Sequence, residues 1–169
     1  MRHDVAAPSD WIVRFAPRVR SGGSVLDVAA GAGRHARLFL ARGHAVTAID
    51  RDVARLMPHP ALRAIAADLE DGSPWPLPGA RFDAVVVTSY LWRPLLPVLV
   101  DAVAPGGLLL YETFAVGNAR FGKPSNPDFL LRPGELLEAV RGRLVVAAYE
   151  HGEVVSPRPA VVQRIAATA

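Results

Sequence analysis

Three acidic residues lie at or near the ends of three successive predicted strands, and a glycine-containing turn follows the first strand. Asp27 lies in the first strand, and Asp50 and Asp68 directly follow the second and third. A carboxylate at such a position accepts hydrogen bonds from ribose hydroxyls. Gly31 and Gly33 lack side chains where a ligand approaches the backbone, and the following helix offers free N–H groups to an anionic group. The spacing predicts a nucleoside-binding β-α-β unit.

The charge of Asp27 bears on which nucleoside this unit binds. A dinucleotide would place a diphosphate at the first turn, and two like charges about 4 Å apart cost about 4 kcal/mol at an effective dielectric constant near 20. S-adenosylmethionine carries no phosphate, and its ammonium group is attracted by a carboxylate. The turn nevertheless fits the looser G-x-G-x-x-A pattern of dinucleotide sites over residues 31–36, so that alternative stays open.

Strands and helices alternate along most of the chain, which predicts an α/β fold: a Rossmann-like, doubly wound sheet, mostly parallel, with helices on both faces. A short N-terminal helix is expected at about 9–17. The predicted strands are 24–29, 45–49, 62–67, 82–87, 108–111, 144–149 and 160–166, and the predicted helices are 35–42, 52–57, 95–103 and 134–140. The last two strands follow each other without a helix and can pair antiparallel. The segments 71–79 and 114–132 are predicted to be irregular because they are rich in proline and glycine.

The size of 169 residues and the hydrophobic fraction of 51% predict a single domain, 1–169, with a substantial core. No apolar run approaches the roughly 18 residues of a membrane span, and residues 1–4 lack the apolar run of a signal peptide. We therefore expect a cytoplasmic protein without a membrane partner. The absence of cysteine excludes disulfides and thiolate zinc sites. The histidines show no metal-ligand spacing, so no metal site is expected.

The basic residues are scattered along the chain, and the formal net charge is only +3. Nucleic-acid binding is favoured by clustered lysine and arginine, so the sequence does not favour a nucleic-acid partner. Oligomeric state is not predictable from this composition.

The motifs resemble those of class I S-adenosylmethionine-dependent methyltransferases over nearly the whole chain, from about residue 24 to residue 166. The family's acid-x-Gly-x-Gly-x-Gly motif is matched by residues 27–33, with Ala29 in place of the first glycine. The runs 75–78 and 105–107 are similar to the segments before the family's fourth and fifth strands. Within the family, the sequence is similar to small bacterial enzymes of the tellurite-resistance and thiopurine methyltransferase-like group. The resemblance implies seven strands, the last antiparallel to the rest.

The resemblance also implies the cofactor site. Asp50 would hold the ribose hydroxyls, and Asp68 would bind the exocyclic amine of adenine beside Leu69. The full set of cofactor-binding residues predicted is Asp27, Ala29, Gly31, Gly33, Asp50, Arg51, Asp68, Leu69 and Thr88.

Candidate acceptor residues follow the fourth and fifth strands. Tyr90 and Glu112 are the predicted catalytic residues, because they lie at strand ends beside the expected cofactor. Tyr90, Trp92 and Arg93 are also expected to line the acceptor pocket. Arg120 lies in the irregular segment 114–132, which is predicted to close as a lid and to favour an anionic acceptor through its basic residues.

Three functions remain open at this point. The first is methyl transfer from S-adenosylmethionine to a small-molecule acceptor. The second is an NAD(P)-dependent oxidoreductase, which would need catalytic residues beyond the nucleotide-binding half. The third is a non-catalytic module that binds the nucleoside. The Asn/Asp-Pro-Pro-Tyr/Phe signature of enzymes that methylate amino groups of nucleic-acid bases does not occur in the sequence.

Overall fold

A seven-stranded sheet forms the centre of the computed structural model, which describes residues 5–169. The strands are β1 (Ser24–Val28), β2 (Ala45–Asp50), β3 (Leu62–Ala66), β4 (Phe82–Thr88), β5 (Val103–Phe114), β6 (Val145–Val154) and β7 (Ala160–Thr168). Within residues 5–169 the α-helices are α1 (Asp10–Phe15), α2 (Arg34–Ala41), α3 (Leu96–Asp101) and α4 (Glu135–Val140). The 3₁₀ turns are Ala16–Arg18, Val53–Arg55, Arg93–Leu95, Asn118–Phe121 and Pro127–Phe129. Residues 1–4, where the sequence predicted no signal peptide, lie outside the described residues.

The strand order is β3-β2-β1-β4-β5-β7-β6. The first five strands in this order run parallel, and β7 pairs antiparallel with both β5 and β6. The structure thus confirms the predicted mostly parallel sheet with an antiparallel last strand. None of the helices within residues 5–169 is long and apolar enough to cross a bilayer.

Helices cover both faces of the sheet. Side chains alternate between the two faces along a strand, so Val86 of β4 packs on the side of α1 and α2, whereas Val85 and Val87 pack on the side of α3 and α4. Trp11 anchors the first cluster and Leu136 belongs to the second; both are buried. Burial on both faces explains the continuous apolar run of β4.

The connections on either side of β3 contain little helix, and the one before β3 contains less than expected. The predicted helix 52–57 is a single 3₁₀ turn, because the Asp52 side chain caps it at Ala54 and Pro58 follows shortly after. The run 71–79 is irregular, as predicted. The edge strand β3 is therefore largely exposed.

The fifth strand is longer than the predicted 108–111, because residues 105–107 lie inside β5 and do not form a turn before it. The pairing register shifts here, since Phe82 pairs with Val103 but Ala84 pairs with Leu108. A Cβ atom at Gly107 would lie only 2.9 Å from the carbonyl oxygen of Phe82. Glycine at position 107 therefore allows the backbone of β5 to approach that of β4 closely within a bulged strand.

The segment 115–132 forms a wall that is anchored at both of its ends. Ala115 forms a β-bridge with Leu131, and the Val116 N–H donates to the Leu131 carbonyl oxygen over 2.9 Å. Asn118 is 2% exposed, and its Oδ1 accepts a hydrogen bond from the Val161 N–H over 3.0 Å. These contacts anchor the two ends of the segment that the sequence predicted as a closing lid, whereas residues 119–129 between them are exposed apart from the half-buried Pro124.

Arg93 fixes the end of this wall to α4. Its guanidinium donates to both carboxylate oxygens of Glu135, at 2.6 and 3.1 Å, and to the carbonyl oxygens of Asp128 and Leu130, at 2.9 and 2.8 Å. The Glu135 side chain is only 10% exposed. The paired guanidinium lowers the pKa of the Glu135 carboxyl against the opposing effect of burial.

Replacing Arg93 with alanine should lower the free energy of unfolding by roughly 2 kcal/mol, because Glu135 and two carbonyl groups lose charged donors. Urea denaturation followed by circular dichroism measures the change. Arg141→Ala is the control, since Arg141 pairs with Glu138 on the surface and should contribute less than about 0.5 kcal/mol. Equal losses of unfolding free energy in the two variants would contradict a stabilising role for the contacts of Arg93 with Glu135 and the two carbonyl groups.

Candidate active site

The carboxyl ends of the parallel strands meet along one edge of the sheet. Val28 at the end of β1 is paired with Ile49 of β2 and with Val87 of β4, so these three ends are level. A cavity of about 420 Å³ opens at this edge. It is lined by Ala29, Asp50, Arg51, Ala67, Asp68, Leu69, Glu70, Ser89, Tyr90, Leu91, Thr113, Phe114, Pro124 and Phe129. We call it the first cavity.

Two of its lining residues adopt left-handed backbone conformations without being glycine. Ala29 follows β1 with φ of 54°, and Ser89 follows β4 with φ of 53°. Such a conformation costs an L-residue about 1–2 kcal/mol, and residues held in it concentrate at functional sites. The substitution of alanine for the motif's first glycine therefore places a strained residue at the cavity.

The glycines of the first turn have distinct roles. Gly31 adopts φ of 57°, and a Cβ atom there would meet no atom within 4 Å. Gly33 precedes α2 with φ of 80°, and a Cβ atom there would lie 2.7 Å from Leu56 Cδ2. The left-handed backbone favours glycine at both positions, and close packing also excludes a side chain at Gly33. Neither glycine is among the residues that line the first cavity.

Asp50 is oriented by the backbone around it. One carboxylate oxygen accepts the Gly31 N–H over 2.8 Å, and the other accepts the Asp52 N–H over 3.0 Å. The side chain therefore joins the first turn to the end of β2 while it lines the cavity. A carboxylate fixed in this way retains lone pairs for the hydroxyl groups of a ribose.

The cavity is rich in negative charge. Three carboxylates line it, those of Asp50, Asp68 and Glu70. Arg51 is the single cation among the lining residues. Asp68 is held by the N–H of Glu70, which donates to its Oδ1 over 2.9 Å. Three carboxylates around one guanidinium favour a cationic ligand and disfavour a diphosphate.

Asp27 does not line the cavity. Its side chain is 1% exposed and accepts the Ala36 N–H over 3.0 Å, inside the first turn of α2. Burial raises the pKa of this carboxyl to about 7. The carboxylate that the sequence analysis placed against a ligand ammonium group is thus turned toward the helix.

His35 forms a buried link between the N-terminal segment and the end of β4. Its Nε2 accepts the Ser9 N–H over 3.0 Å, so its Nδ1 carries the proton and donates to Thr88 Oγ1 over 3.3 Å. Burial lowers the pKa of His35 to about 3, so the ring is neutral. Thr88, predicted as a cofactor ligand, is held by this contact and does not line the first cavity.

The two predicted catalytic residues lie in different cavities. Tyr90 lines the first cavity, and burial, with Glu70 and Asp68 nearby, raises the pKa of its phenol to about 12. Glu112 lines a second cavity, of about 390 Å³, that shares Ser89, Thr113 and Phe114 with the first. Tyr90 is a hydrogen-bond donor at neutral pH, because its hydroxyl stays protonated.

Both carboxylate oxygens of Glu112 have partners. Oε1 accepts the Ser9 hydroxyl over 2.8 Å, and Oε2 lies 2.8 Å from Arg164 Nε, as an ion pair without the alignment of a hydrogen bond. Each partner of the pair is less than one fifth exposed. These contacts hold the carboxylate as a structural anion at the wall of the second cavity.

The structure does not bring the remaining predicted acceptor residues to either cavity. Arg93 is hydrogen-bonded to Glu135, and Trp92 packs against the core cluster that contains the buried residues of α3. Arg120 forms an exposed ion pair with Glu153 and lies over the Phe121 ring. The wall that lines the first cavity instead contributes Pro124 and Phe129.

Solved structures share this architecture. TehB from Haemophilus influenzae superposes with a TM-score of 0.74 and 18% identity, over 98% of this chain and 64% of TehB. An S-adenosylmethionine-dependent methyltransferase from Mesorhizobium loti gives 0.72 and 18%, over 94% and 95% of the two chains. The Burkholderia thailandensis 1,6-didemethyltoxoflavin-N1-methyltransferase, with bound 1,6-didemethyltoxoflavin and S-adenosylhomocysteine, gives 0.65 and 19%, over 98% and 79%.

These likenesses show that the chain has the fold of S-adenosylmethionine-dependent methyltransferases. The chain spans 64% of the length of TehB. No protein-family model and no curated protein sequence matched the chain.

Asp27 and His35 should affect stability with opposite pH dependence. In the folded protein the pKa of Asp27 is about 7, above the ordinary value of 3.8. The contribution of Asp27 to the free energy of unfolding therefore falls as the pH rises between these two values. Folded His35 stays neutral down to about pH 3 instead of 6.5, so its contribution falls as pH decreases through that window. Between about pH 4 and 6.5 the two effects cancel.

Urea denaturation of Asp27→Asn and His35→Gln from pH 4 to 7 tests this balance. Relative to the unsubstituted protein, Asp27→Asn should gain stability as pH rises and His35→Gln should lose it, each by up to roughly 1.4 kcal/mol per pH unit. Both amides can accept the hydrogen bond that the native side chain accepts. Parallel profiles for all three proteins would contradict the two shifted pKa values.

Proposed function

We propose that this protein is a methyltransferase that transfers the methyl group of S-adenosylmethionine to a small-molecule acceptor in the cytoplasm. The observation that carries this proposal is the acid-lined first cavity at the carboxyl edge of a methyltransferase-type sheet. S-adenosylmethionine is a cation without phosphate, and three carboxylates around one arginine suit such a ligand.

The lining residues fit the parts of this cofactor. Asp50, held by the Gly31 N–H, is suited to the ribose hydroxyls. Asp68 is suited to the exocyclic amine of adenine, and Leu69 with Leu91 offers apolar surface for the ring. Asp27 supports this arrangement without lining the cavity, because the hydrogen bond that it accepts from the Ala36 N–H fixes the start of α2.

The cofactor supplies a methyl group already activated on a sulfonium. The lone pair of the acceptor forms the new bond to the methyl carbon as the carbon–sulfur bond breaks, and the electron pair stays on sulfur. The protein then has to align the acceptor and exclude water. The protonated Tyr90 hydroxyl can donate a hydrogen bond to a ligand in the first cavity, and Glu112 organises the neighbouring wall through Ser9 and Arg164.

A small acceptor is supported by the size of the two cavities. The two adjoining cavities measure about 420 and 390 Å³, which is the range of small-ligand sites. One structural neighbour carries a small-molecule substrate together with S-adenosylhomocysteine. An oxidoreductase is less well supported, because a nicotinamide dinucleotide would bring its diphosphate to a cavity lined by three carboxylates.

Isothermal titration with S-adenosylmethionine, S-adenosylhomocysteine and NADH tests the proposal. We expect both sulfur nucleosides to bind and NADH not to bind. Asp50→Asn should weaken binding of S-adenosylhomocysteine roughly 10- to 100-fold, because a charged acceptor for the ribose is lost.

Asp52→Asn is the matched control. Asp52 is exposed, does not line the cavity, and caps Ala54 through one oxygen that asparagine retains. Its affinity for S-adenosylhomocysteine should stay unchanged. Binding of NADH alone would overturn the proposal. Formation of S-adenosylhomocysteine from S-adenosylmethionine when an acceptor is added would distinguish an enzyme from a non-catalytic binding module.

A further inference from the structure

The second cavity adjoins the first through Ser89, Thr113 and Phe114, which line both. Its other walls come from the N-terminal segment 6–10, from β5 and β7, and from the β6–β7 hairpin. Apolar lining residues include Ala7, Pro8, Val154, Pro157 and Val162. A ligand here would have an apolar body next to the wall shared with the first cavity.

The N-terminal segment is held over this cavity by three hydrogen bonds. The Ser9 N–H donates to His35, the Ser9 hydroxyl donates to Glu112, and the Arg34 guanidinium donates to the Ala7 carbonyl oxygen over 3.2 Å. Arg34 is thereby fixed at the rim, with its remaining N–H groups available to a ligand.

The charges of the second cavity differ from those of the first. Five charged side chains line it: Asp10, Arg34, Glu112, Arg158 and Arg164. Glu112 and Arg164 neutralise each other as an ion pair. Neither Arg34 nor Arg158 pairs with an acid within residues 5–169. Asp10 lies in the first turn of α1, where the helix dipole favours its charge.

We propose that the second cavity binds the methyl acceptor and that this acceptor is a small organic anion with an apolar body, held by Arg34 and Arg158. Guanidinium groups bind carboxylates and related anions through paired hydrogen bonds. The opposite charge of the two cavities keeps a cationic methyl donor and an anionic acceptor in separate compartments that meet at Ser89. The identification of this ligand as the acceptor rests on the proposed function.

The test uses benzoate and benzamide as probes, which share an apolar ring and differ in charge. Each is titrated into the full chain saturated with S-adenosylhomocysteine, with ligand-observed NMR as the readout. Benzoate should bind at least about tenfold more tightly than benzamide, and added salt should weaken only benzoate binding.

Two arginine variants assign the site. Arg158→Gln and Arg34→Gln should each weaken benzoate binding about tenfold without changing the affinity for S-adenosylhomocysteine. Arg158 is exposed and makes no side-chain hydrogen bond or ion pair within the described part of the chain, so its replacement leaves the fold intact. Arg37→Gln, an exposed position on α2 outside the cavity, is the control and should bind both compounds as before.

Three outcomes would overturn the anion site: no saturable binding of benzoate, equal binding of benzoate and benzamide, or benzoate binding that is unchanged in both arginine variants. The failure of the proposed function is a different result, because S-adenosylhomocysteine itself would then not bind. Bound S-adenosylhomocysteine without arginine-dependent benzoate binding contradicts only the anion site.

Discussion

The level register of the parallel strands is the constraint on which the site depends. Because β1 pairs with β2 and β4 without offset, the residues that follow these strands lie together although they are distant in sequence. Asp50, Asp68 and Ser89 meet at one cavity for this reason. The same register extends to β5, where Thr88 is paired with Glu112 and the wall shared by the two cavities begins.

Much of this arrangement could be predicted from local pattern. An apolar run that ends at an acid identifies both a strand and the side chain at its carboxyl end, so Asp50 and Asp68 were correctly expected at the same edge as the glycine-containing turn. The alternation of strands and helices gave the parallel sheet, and two consecutive final strands gave the antiparallel β7. These features depend on neighbours in sequence and on general rules of strand connection.

The features that could not be predicted depend on contacts between distant segments. Nothing around Asp27 indicates that its carboxylate turns toward α2, and nothing around Arg93 indicates that Glu135, 42 residues later, occupies it. Residues 105–107 were expected to precede the fifth strand, because a bulge inside a strand is defined only by its partner strand. The second cavity is assembled from Arg34 and Arg158, which no motif joins.

About half of the residues that line the second cavity come from two short stretches outside the sheet: the segment 6–10 and the tip of the β6–β7 hairpin at 155–159. Loop residues of this kind carry few of the backbone hydrogen bonds that hold a sheet together, and substitutions there cost little stability. Selectivity for the bound molecule is therefore free to diverge during evolution while the donor-binding strands stay unchanged. A fold divided in this way is a suitable scaffold for engineering new specificities by randomising these two short stretches.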